Sequence, residues 1–219
     1  KRVVLTSSIS AVIGSEKAID RTYTSNDWSD PQDSNLTAYS ASKTIAEKKA
    51  WELAADEDLE LAVINPTMVL GPALEADYGT SLELLYKLLA GAVPLVPKVG
   101  FEVVDVRDVS SLHRLAFEHP EAAGQRFLCA AGFRWFIKVA DQLRREFPDY
   151  RRKIPTRQMP NALVKVFSVF IKELASISNE LESTKRLDCN PALNIGWQPR
   201  TPEEAIQAGA KSLIELGLV

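Results

Sequence analysis

Tyr39 and Lys43 stand four residues apart near the start of a segment, residues 37–55, that has the pattern of an α-helix. Residues four apart share one face of a helix, so the phenol and the ammonium project together. A phenol has an ordinary pKa of about 10, and a neighbouring ammonium favours its phenolate form. Lowering that pKa to about 7 takes roughly 4 kcal/mol and would make the phenol an efficient general acid–base group at neutral pH.

The helix is predicted from its N-terminal cap and its apolar residues. Thr37 and Asn35 both have side-chain oxygens that are able to accept a hydrogen bond from the first amides of the helix. Large apolar side chains recur along the segment: Ile45, Trp51 and Leu53. The Tyr–Lys spacing alone is a weak signal, because such pairs occur often by chance.

Two apolar segments with the pattern of buried strands flank this helix. The first ends in the hydroxyls Thr6-Ser7-Ser8, and the second, residues 61–65, runs into Pro66. A strand, a helix and a second strand in this order form a βαβ unit of parallel strands. Ligands bind at the carboxyl ends of such strands, so we expect the hydroxyls, Tyr39 and the turn after Pro66 to share one site.

The chain resembles the extended short-chain dehydrogenase/reductase family in three motifs that follow the family's order: Ser8, Tyr39-x-x-x-Lys43 and Asn65-Pro66-Thr67-x-Val69-x-Gly71-Pro72. Within the family it is most similar to the branch of dihydroflavonol reductases and related aldehyde reductases. The segments that carry this likeness are Lys1–Ser8, Asp27–Asp30, Tyr39–Trp51, Val104–Val109 and Gly196–Arg200. The resemblance implies an α/β fold: the C-terminal part of a Rossmann-type doubly wound parallel sheet, with a smaller, mostly helical substrate subdomain.

The resemblance also implies how the chain divides. Residues 1–75 and 101–131 are expected to form part of the dinucleotide-binding domain, and residues 76–100 and 132–219 the interleaved substrate subdomain. The 219 residues contain no Gly-x-Gly-x-x-Gly or Gly-x-x-Gly-x-x-Gly turn, where the pyrophosphate of the cofactor binds in this fold. We therefore interpret the chain as part of a longer enzyme and expect these residues to be inactive when expressed alone.

The other elements are predicted from local patterns. Residues 9–35 are polar and turn-rich, which is typical of a long active-site loop. Strands are expected over residues 101–104 and 125–130. Helices are expected over residues 81–90, 109–118, 133–147, 161–177 and 202–215.

The resemblance implies a role for each candidate site residue. Tyr39 exchanges a proton with the substrate oxygen, and Lys43 tunes Tyr39 and hydrogen-bonds the nicotinamide ribose. Ser8 polarises the substrate carbonyl, with Ser7 as the alternative donor. Together with Tyr39 and Lys43, the cofactor site then comprises the segment expected to lie against the nicotinamide: Pro66, Thr67, Met68 and Val69.

These residues predict a reductase of a ketone or aldehyde on a small, largely apolar molecule, with NADP(H) as the cofactor and NAD as the alternative. Two other functions stay open: a nucleotide-sugar epimerase, and a catalytically silent dinucleotide sensor or scaffold. Ile13 stands where the resemblance places an Asn in plant dihydroflavonol reductases, so a flavonoid substrate is not expected. The resemblance places an acidic residue just after the position of Ser8 in nucleotide-sugar dehydratases. Ile9 and Ser10 supply no such acid, which weighs against a dehydratase. A homodimer through a helix like residues 38–55 is common in the family.

Composition excludes several other partners. A net charge of −3 and a pI near 5.6 argue against binding to nucleic acid or an anionic membrane. We interpret the basic cluster within residues 144–157 as a solvated surface rather than a polyanion site. No apolar run approaches the roughly 20 residues of a membrane span. Cys129 and Cys189, with no signal-like start, favour the cytoplasm, and His113 and His119 lie in no metal-binding pattern.

Overall fold

A computed structural model of the chain describes residues 1–14, 21–167 and 180–219, and these residues form two units. The first unit consists of Lys1–Thr67, Arg107–Ala130 and Lys185–Pro199. The second consists of Met68–Val106, Ala131–Thr184 and Arg200–Val219. The two units are therefore interleaved along the chain. Residues 185–199, which the sequence pattern assigns to the substrate subdomain, belong to the first unit.

The regular elements in chain order are β1 (Arg2–Thr6), β2 (Thr22–Tyr23), α1 (Ala38–Asp56), β3 (Glu60–Pro66), β4 (Met68–Leu70), α2 (Thr80–Ala90), β5 (Gly100–Asp105), α3 (Val106–Glu118), β6 (Arg126–Cys129), β7 (Gly132–Trp135), α4 (Phe136–Glu146), α5 (Asn161–Phe167), β8 (Arg186–Leu187), α6 (Asn190–Asn194) and α7 (Pro202–Glu215). The predicted helices that became α2, α3 and α7 are confirmed. The helix predicted over 161–177 is confirmed for α5, and residues 168–177 lie outside the described residues.

Three parallel strands form the main sheet of the first unit, in the order β1-β3-β6. Helix α1 connects β1 to β3, which confirms the predicted βαβ unit. Strand β3 lies in the middle and is buried from Leu61 to Pro66, as its apolar run predicts. Strand β1 is an edge strand, and 44% of the Val3 surface is exposed. The carboxyl ends of β1 and β3 lie side by side, because Thr6 pairs with Ile64.

Helix α1 begins as predicted but buries different residues. The Thr37 side chain accepts a hydrogen bond from the Ser40 amide at 3.1 Å and caps the helix. The apolar side chains of Ile45 and Leu53 do not belong to its buried face, because 58% and 50% of their surfaces are exposed. The buried residues of α1 are instead Thr44, Glu47 and Ala54. Helix α1 is therefore held on the first unit by these small and polar side chains together with Trp51, which packs against the buried cluster that includes Leu61 and Val63.

The second unit is built on the sheet β4-β5-β7, in which β4 is parallel and β7 antiparallel to β5. The prediction of a helix from Phe133 is wrong at its start, because Gly132–Trp135 is strand β7 and α4 begins at Phe136. Phe133 and Trp135 alternate with Arg134, which is the period of a strand rather than of a helix. Pairing with Gly100–Val103 then satisfies the backbone of β7.

Helices α2, α4 and α7 supply most of the core of the second unit. Their buried apolar side chains are Leu82, Leu85, Leu88, Leu89, Phe136, Val139, Ala140, Leu143, Ala205, Ile206, Ala210 and Leu213. Helix α2 ends at Gly91, whose φ of +78° is the left-handed conformation that favours glycine. Helix α7 begins with a capping box in which Thr201 and Glu204 exchange hydrogen bonds. Among the described helices, none is long and apolar enough to cross a membrane.

Candidate active site

Tyr39 and Lys43 lie on one face of the first turns of α1. The Lys43 Nζ is 5.7 Å from the centroid of the Tyr39 ring. The Tyr39 side chain is exposed, and its phenolic oxygen has no hydrogen-bond partner in the described part of the chain. A phenol that is both accessible and next to an ammonium is able to exchange a proton with a ligand that binds over it.

The two serines that follow β1 have different hydrogen bonds. The Ser7 Oγ donates to Glu47 Oε2 at 2.5 Å, so its proton is already engaged. The Ser8 Oγ accepts from the Ser10 amide at 3.1 Å and caps the short 3₁₀ helix Ile9–Ala11. Within the described residues, the Ser8 hydroxyl proton has no acceptor. Ser8 therefore retains a donor for a bound ligand, whereas Ser7 does not.

Glu47 of α1, which was not among the predicted site residues, lies at the centre of a buried polar network. Its side chain is completely buried. Oε2 accepts hydrogen bonds from Ser7 Oγ and from Asn65 Nδ2, the latter at 2.7 Å. Oε1 accepts from Arg126 Nε at 2.6 Å and from Trp51 Nε1 at 3.4 Å. One carboxylate thus links the end of β1 to β3, β6 and α1.

Asn65 joins this network to the backbone of Ser8. Its Nδ2 donates to the Ser8 carbonyl at 3.1 Å as well as to Glu47. Asn65 is completely buried, and its Oδ1 has no partner in the described residues. The amide group of Asn65 therefore fixes the position of the Ser8 peptide through its nitrogen alone.

Arg126 extends the network into the loop that precedes α1. Its Nη1 donates to the carbonyls of Ser25 and Asp27 at 2.6 and 2.8 Å. Its guanidinium stacks on the Trp28 ring, 3.7 Å from the centroid. An arginine donates from a rigid, planar fork, so one buried cation fixes two loop carbonyls and one indole at the same time.

The same loop is hydrogen-bonded to the turn after Ser8. The Ser29 amide donates to the Ala11 carbonyl at 3.0 Å, and the Ser29 Oγ donates to the Ser10 carbonyl at 2.8 Å. Ser29 is buried, at 1% exposure. The two described parts of the predicted active-site loop, residues 9–14 and 21–35, are therefore hydrogen-bonded to each other.

The segment predicted to contact the nicotinamide divides between the two units. Pro66 ends β3 in the first unit, and Thr67 follows it. The amide and the Oγ1 of Thr67 both donate to the Cys129 carbonyl, at 3.2 Å each. Met68 and Val69 begin β4 in the second unit, where they pair with β5. Contact of these four residues with a cofactor stays a prediction.

Each residue missing from the predicted site has a signal in the sequence. Glu47 continues the Tyr39–Lys43 spacing by four more residues, so it shares their helix face. Asn65 and Arg126 are polar residues within otherwise apolar strands. Buried polar groups require partners, so the three together indicate a buried network. Their pairing could not be predicted, because it depends on which strands are neighbours.

Other titratable groups of the first unit have structural partners. His113 Nδ1 donates to the Val109 carbonyl at 2.8 Å, and its Nε2 is hydrogen-bonded to Thr6 Oγ1 at 2.7 Å. Burial raises the pKa of the Cys129 thiol, and the nearby Cys189 raises it further. The described residues contain no group of three or more His, Cys, Asp or Glu side chains able to hold a metal ion.

In the second unit, Glu102 of β5 is a carboxyl group with a raised pKa. Burial raises its pKa from 4.5 to about 7, and the positive charge of Arg134 partly offsets this. Arg134 itself forms a two-pronged ion pair with Glu203 of α7, through Nε and Nη2. The Arg134 guanidinium therefore holds the pKa of Glu203 below its usual range.

The basic cluster of the second unit is largely exposed. Its exposed members are Arg145, Arg151, Arg152, Lys153 and Arg157. Arg144 is half-buried, and its Nη1 donates to the carbonyls of Arg151 and Ile154 at 2.9 Å each. Arg144 therefore stabilises the loop that presents the other cations to solvent.

The chain is similar to a known family profile and to curated reductases. The family profile "NAD dependent epimerase/dehydratase family" matches residues 1–130. Cinnamoyl-CoA reductase 1 of Arabidopsis thaliana is 34% identical over 193 residues, which is 85% of this chain and 55% of that protein. The NADPH-dependent methylglyoxal reductase GRE2 of Saccharomyces cerevisiae is 33% identical over 172 residues, 71% of this chain and 50% of that protein. The chain thus spans about half the length of the curated relatives it matches.

Solved structures show the same fold. Yeast methylglyoxal/isovaleraldehyde reductase Gre2 complexed with NADPH has a TM-score of 0.78 and 27% identity, over 100% of this chain and 65% of that chain. Candida albicans Gre2 in complex with NADPH has a TM-score of 0.76 and 26% identity, over 99% and 64%. Vestitone reductase from alfalfa has a TM-score of 0.73 at 20% identity, over 100% and 66%. The predicted Rossmann-type α/β fold is therefore confirmed.

Proposed function

The chain belongs to the NAD-dependent epimerase/dehydratase family, and from this membership we propose that the protein reduces a carbonyl group on a small molecule with NADPH. The observation that carries the proposal is the exposed Tyr39 phenol beside the Lys43 ammonium, 5.7 Å from the ring centroid. Two kinds of relative support it: the curated relatives named above are reductases, and both Gre2 structures are complexes with NADPH.

Lys43 of α1 and the chain segment at the end of β3 fit the nicotinamide end of the cofactor. The Lys43 Nζ has no hydrogen-bond or carboxylate partner in the described residues, so it is able to donate to the hydroxyls of a ribose. Pro66, Thr67, Met68 and Val69 follow the carboxyl end of β3, where ligands of such sheets bind. We assign these four residues to the nicotinamide site. NADPH, when bound, supplies the hydride.

Three side chains then handle the substrate oxygen. Ser8 donates a hydrogen bond from its hydroxyl to the carbonyl oxygen, keeps its proton, and stabilises the negative charge that develops there. Tyr39 gives that oxygen its proton, or removes it in the reverse direction. Lys43 lies close enough for its positive charge to interact with the oxygen of Tyr39 during the transfer. The Ser7 alternative is less well supported, because its proton is bonded to Glu47.

The substrate is proposed to be small and largely apolar. Ile13, in place of a polar residue, packs beside the buried cluster of Val12, Tyr23 and Leu128. The epimerase and silent-sensor alternatives have less support, since the relatives named above are reductases and Ser8, Tyr39 and Lys43 occur together. A homodimer through α1 and a cytoplasmic location stay predictions.

The proposal is tested by following NADPH oxidation by the full-length protein with a panel of aldehydes and ketones. We expect turnover with at least one apolar aldehyde or ketone, and none with a nucleotide sugar. NADPH binding without turnover of any carbonyl would favour the sensor and reject the reductase. Interconversion of nucleotide sugars without net NADPH consumption would favour the epimerase.

A further inference from the structure

We propose that Glu47 is a positioning residue, whose buried carboxylate sets the place of the Ser8 hydroxyl relative to Tyr39. This inference rests on the proposed reductase function and assigns one of its determinants. Glu47 does not touch the substrate in this proposal. It acts through two residues to which it is hydrogen-bonded: Ser7, which precedes Ser8 in the chain, and Asn65, which is hydrogen-bonded to the Ser8 carbonyl.

Helix α1 carries both the proposed acid–base pair and the carboxylate of Glu47. Tyr39, Lys43 and Glu47 lie at successive four-residue intervals, so their spacing along the helix is rigid at about 1.5 Å per residue. The large apolar side chains Ile45 and Leu53 of α1 are exposed and do not anchor it. Glu47, with a completely buried side chain, is therefore a principal contact between this helix and the sheet.

Two sets of hydrogen bonds connect Glu47 to Ser8. Oε2 holds the side chain of Ser7, the preceding residue, at 2.5 Å. Oε2 also holds Asn65 Nδ2 at 2.7 Å, and that nitrogen donates to the Ser8 carbonyl at 3.1 Å. The Ser8 Oγ accepts from the Ser10 amide, which orients the hydroxyl. Movement of α1 and movement of Ser8 are coupled through these bonds.

The groups around residue 47 require a carboxylate at this position. A carboxylate only accepts hydrogen bonds, and the four groups around Glu47 are all donors: Ser7 Oγ, Asn65 Nδ2, Arg126 Nε and Trp51 Nε1. A glutamine of the same shape would direct an NH₂ group at one of these donors. The site is therefore built for a carboxylate, with Arg126, only 7% exposed, as its countercharge.

The experiment is a double-mutant cycle in the full-length protein, with Glu47→Gln, Ser8→Ala and the pair. We expect Glu47→Gln to lower kcat about 10–100-fold, the size of effect that a shift of about 1 Å in a catalytic group produces, and to leave the NADPH KM within about threefold. In the Ser8→Ala background the further loss should shrink to less than about threefold, because Glu47 then has no hydroxyl to position. Glu52→Gln is the matched control, since this exposed carboxylate of α1 pairs with Lys49 and with no other group of residues 1–14, 21–167 and 180–219.

Asn65→Leu is the second variant, because Glu47→Gln leaves Arg126 without a countercharge and risks misfolding. Asn65→Leu retains the ion pair but cuts the bond to the Ser8 carbonyl, and the Asn65 Oδ1 has no described partner to lose. The same loss of kcat, again absent in the Ser8→Ala background, is expected. If the losses of kcat caused by either variant and by Ser8→Ala are fully additive, or if kcat is unchanged in either folded variant, the inference about Glu47 is overturned. Turnover by the wild type would still support the reductase in that case. No turnover by the wild type would reject both.

Discussion

At the scale of single residues, Tyr39 is the accessible tyrosine of the first unit, with 57% of its surface exposed against 1% for Tyr23. Tyr39→Phe removes one oxygen and leaves the ring beside Lys43. We expect kcat for carbonyl reduction to fall about 10²–10⁴-fold, the usual contribution of a general acid, with little change in the NADPH KM. Tyr23→Phe is the control, because the buried Tyr23 hydroxyl has no described partner. A fall of less than about tenfold for Tyr39→Phe would remove Tyr39 from the acid role.

The two serines after β1 offer a second test at this scale. Ser8→Ala removes the hydroxyl whose proton has no described acceptor, so we expect kcat to fall about 10²–10³-fold, as for an oxyanion donor. Ser7→Ala removes a hydroxyl already bonded to Glu47, so its effect on kcat should stay within about tenfold and appear mainly as a lower Tm. Steady-state kinetics and thermal unfolding of both variants measure this. The reverse order of kinetic effects would make Ser7 the carbonyl donor.

The proximity of Tyr39 and Lys43 could be predicted from the sequence, whereas the buried network around Glu47 could not. Tyr39 and Lys43 are neighbours on one helix, so local spacing is sufficient to place them together. Arg126 and Glu47 are 79 residues apart in the chain, and they meet because β6 pairs with β3, next to α1. Contacts of that kind depend on strand order, which local periodicity does not contain.

At the scale of elements, local periodicity predicts those stabilised by their own caps and apolar faces. Helix α7 has Thr201, Pro202 and Glu204 at its start and a buried apolar stripe, and its bounds agree with the prediction. Strand β7 is different, because its four residues follow a strand and precede a helix, and pairing with β5 decides their conformation. Pairing with β5 therefore makes residues 132–135 a strand, and the helix begins only at Phe136.

Strand β5 supplies a prediction about pH. Glu102 has a pKa of about 7 in the folded chain, against 4.5 as its ordinary value, because burial disfavours its charge. The folded state therefore binds the proton more tightly than the unfolded state. The resulting destabilisation is absent below pH 4.5, grows as the pH rises and is complete above pH 7.

Glu102→Gln should remove this penalty, since an amide does not ionise. The full shift corresponds to about 3 kcal/mol, and partial exposure of the side chain reduces our expectation to about 1–2 kcal/mol at pH 8. At pH 4.5 the variant and the wild type should unfold at nearly the same temperature. Thermal unfolding at both pH values measures the difference. Glu75→Gln, at an exposed position of the same unit, is the control, and a gain for Glu102→Gln that is independent of pH would contradict the argument.

At the scale of the whole molecule, the residues proposed to act on the carbonyl all belong to the first unit. Ser8, Tyr39, Lys43 and the network around Glu47 lie within Lys1–Thr67 and Arg107–Ala130. These segments are also covered by the family match to residues 1–130. The proposed chemistry therefore lies within the part of the chain that the family match covers.

The binding of NADPH by these 219 residues alone is a prediction at the same scale. Rossmann-type folds hold the cofactor's pyrophosphate at a Gly-rich turn and the helix after it, and the sequence contains no such turn. The residues proposed above for the cofactor site account only for the nicotinamide end. We therefore expect the 219-residue chain to bind NADPH at least about 100-fold more weakly than the full-length protein, as measured by calorimetric titration of both.

The state of the protein in that titration matters, because β1 is an edge strand of its sheet and Val3 is 44% exposed. An open apolar edge favours pairing with another chain, so we expect the isolated 219 residues to self-associate on size-exclusion chromatography. A charge at the exposed position, Val3→Lys, should reduce this association without restoring NADPH binding, because the charge protects the edge but adds no pyrophosphate site. Micromolar binding of NADPH by a monodisperse 219-residue chain would show that the pyrophosphate is held by residues outside any Gly-rich turn.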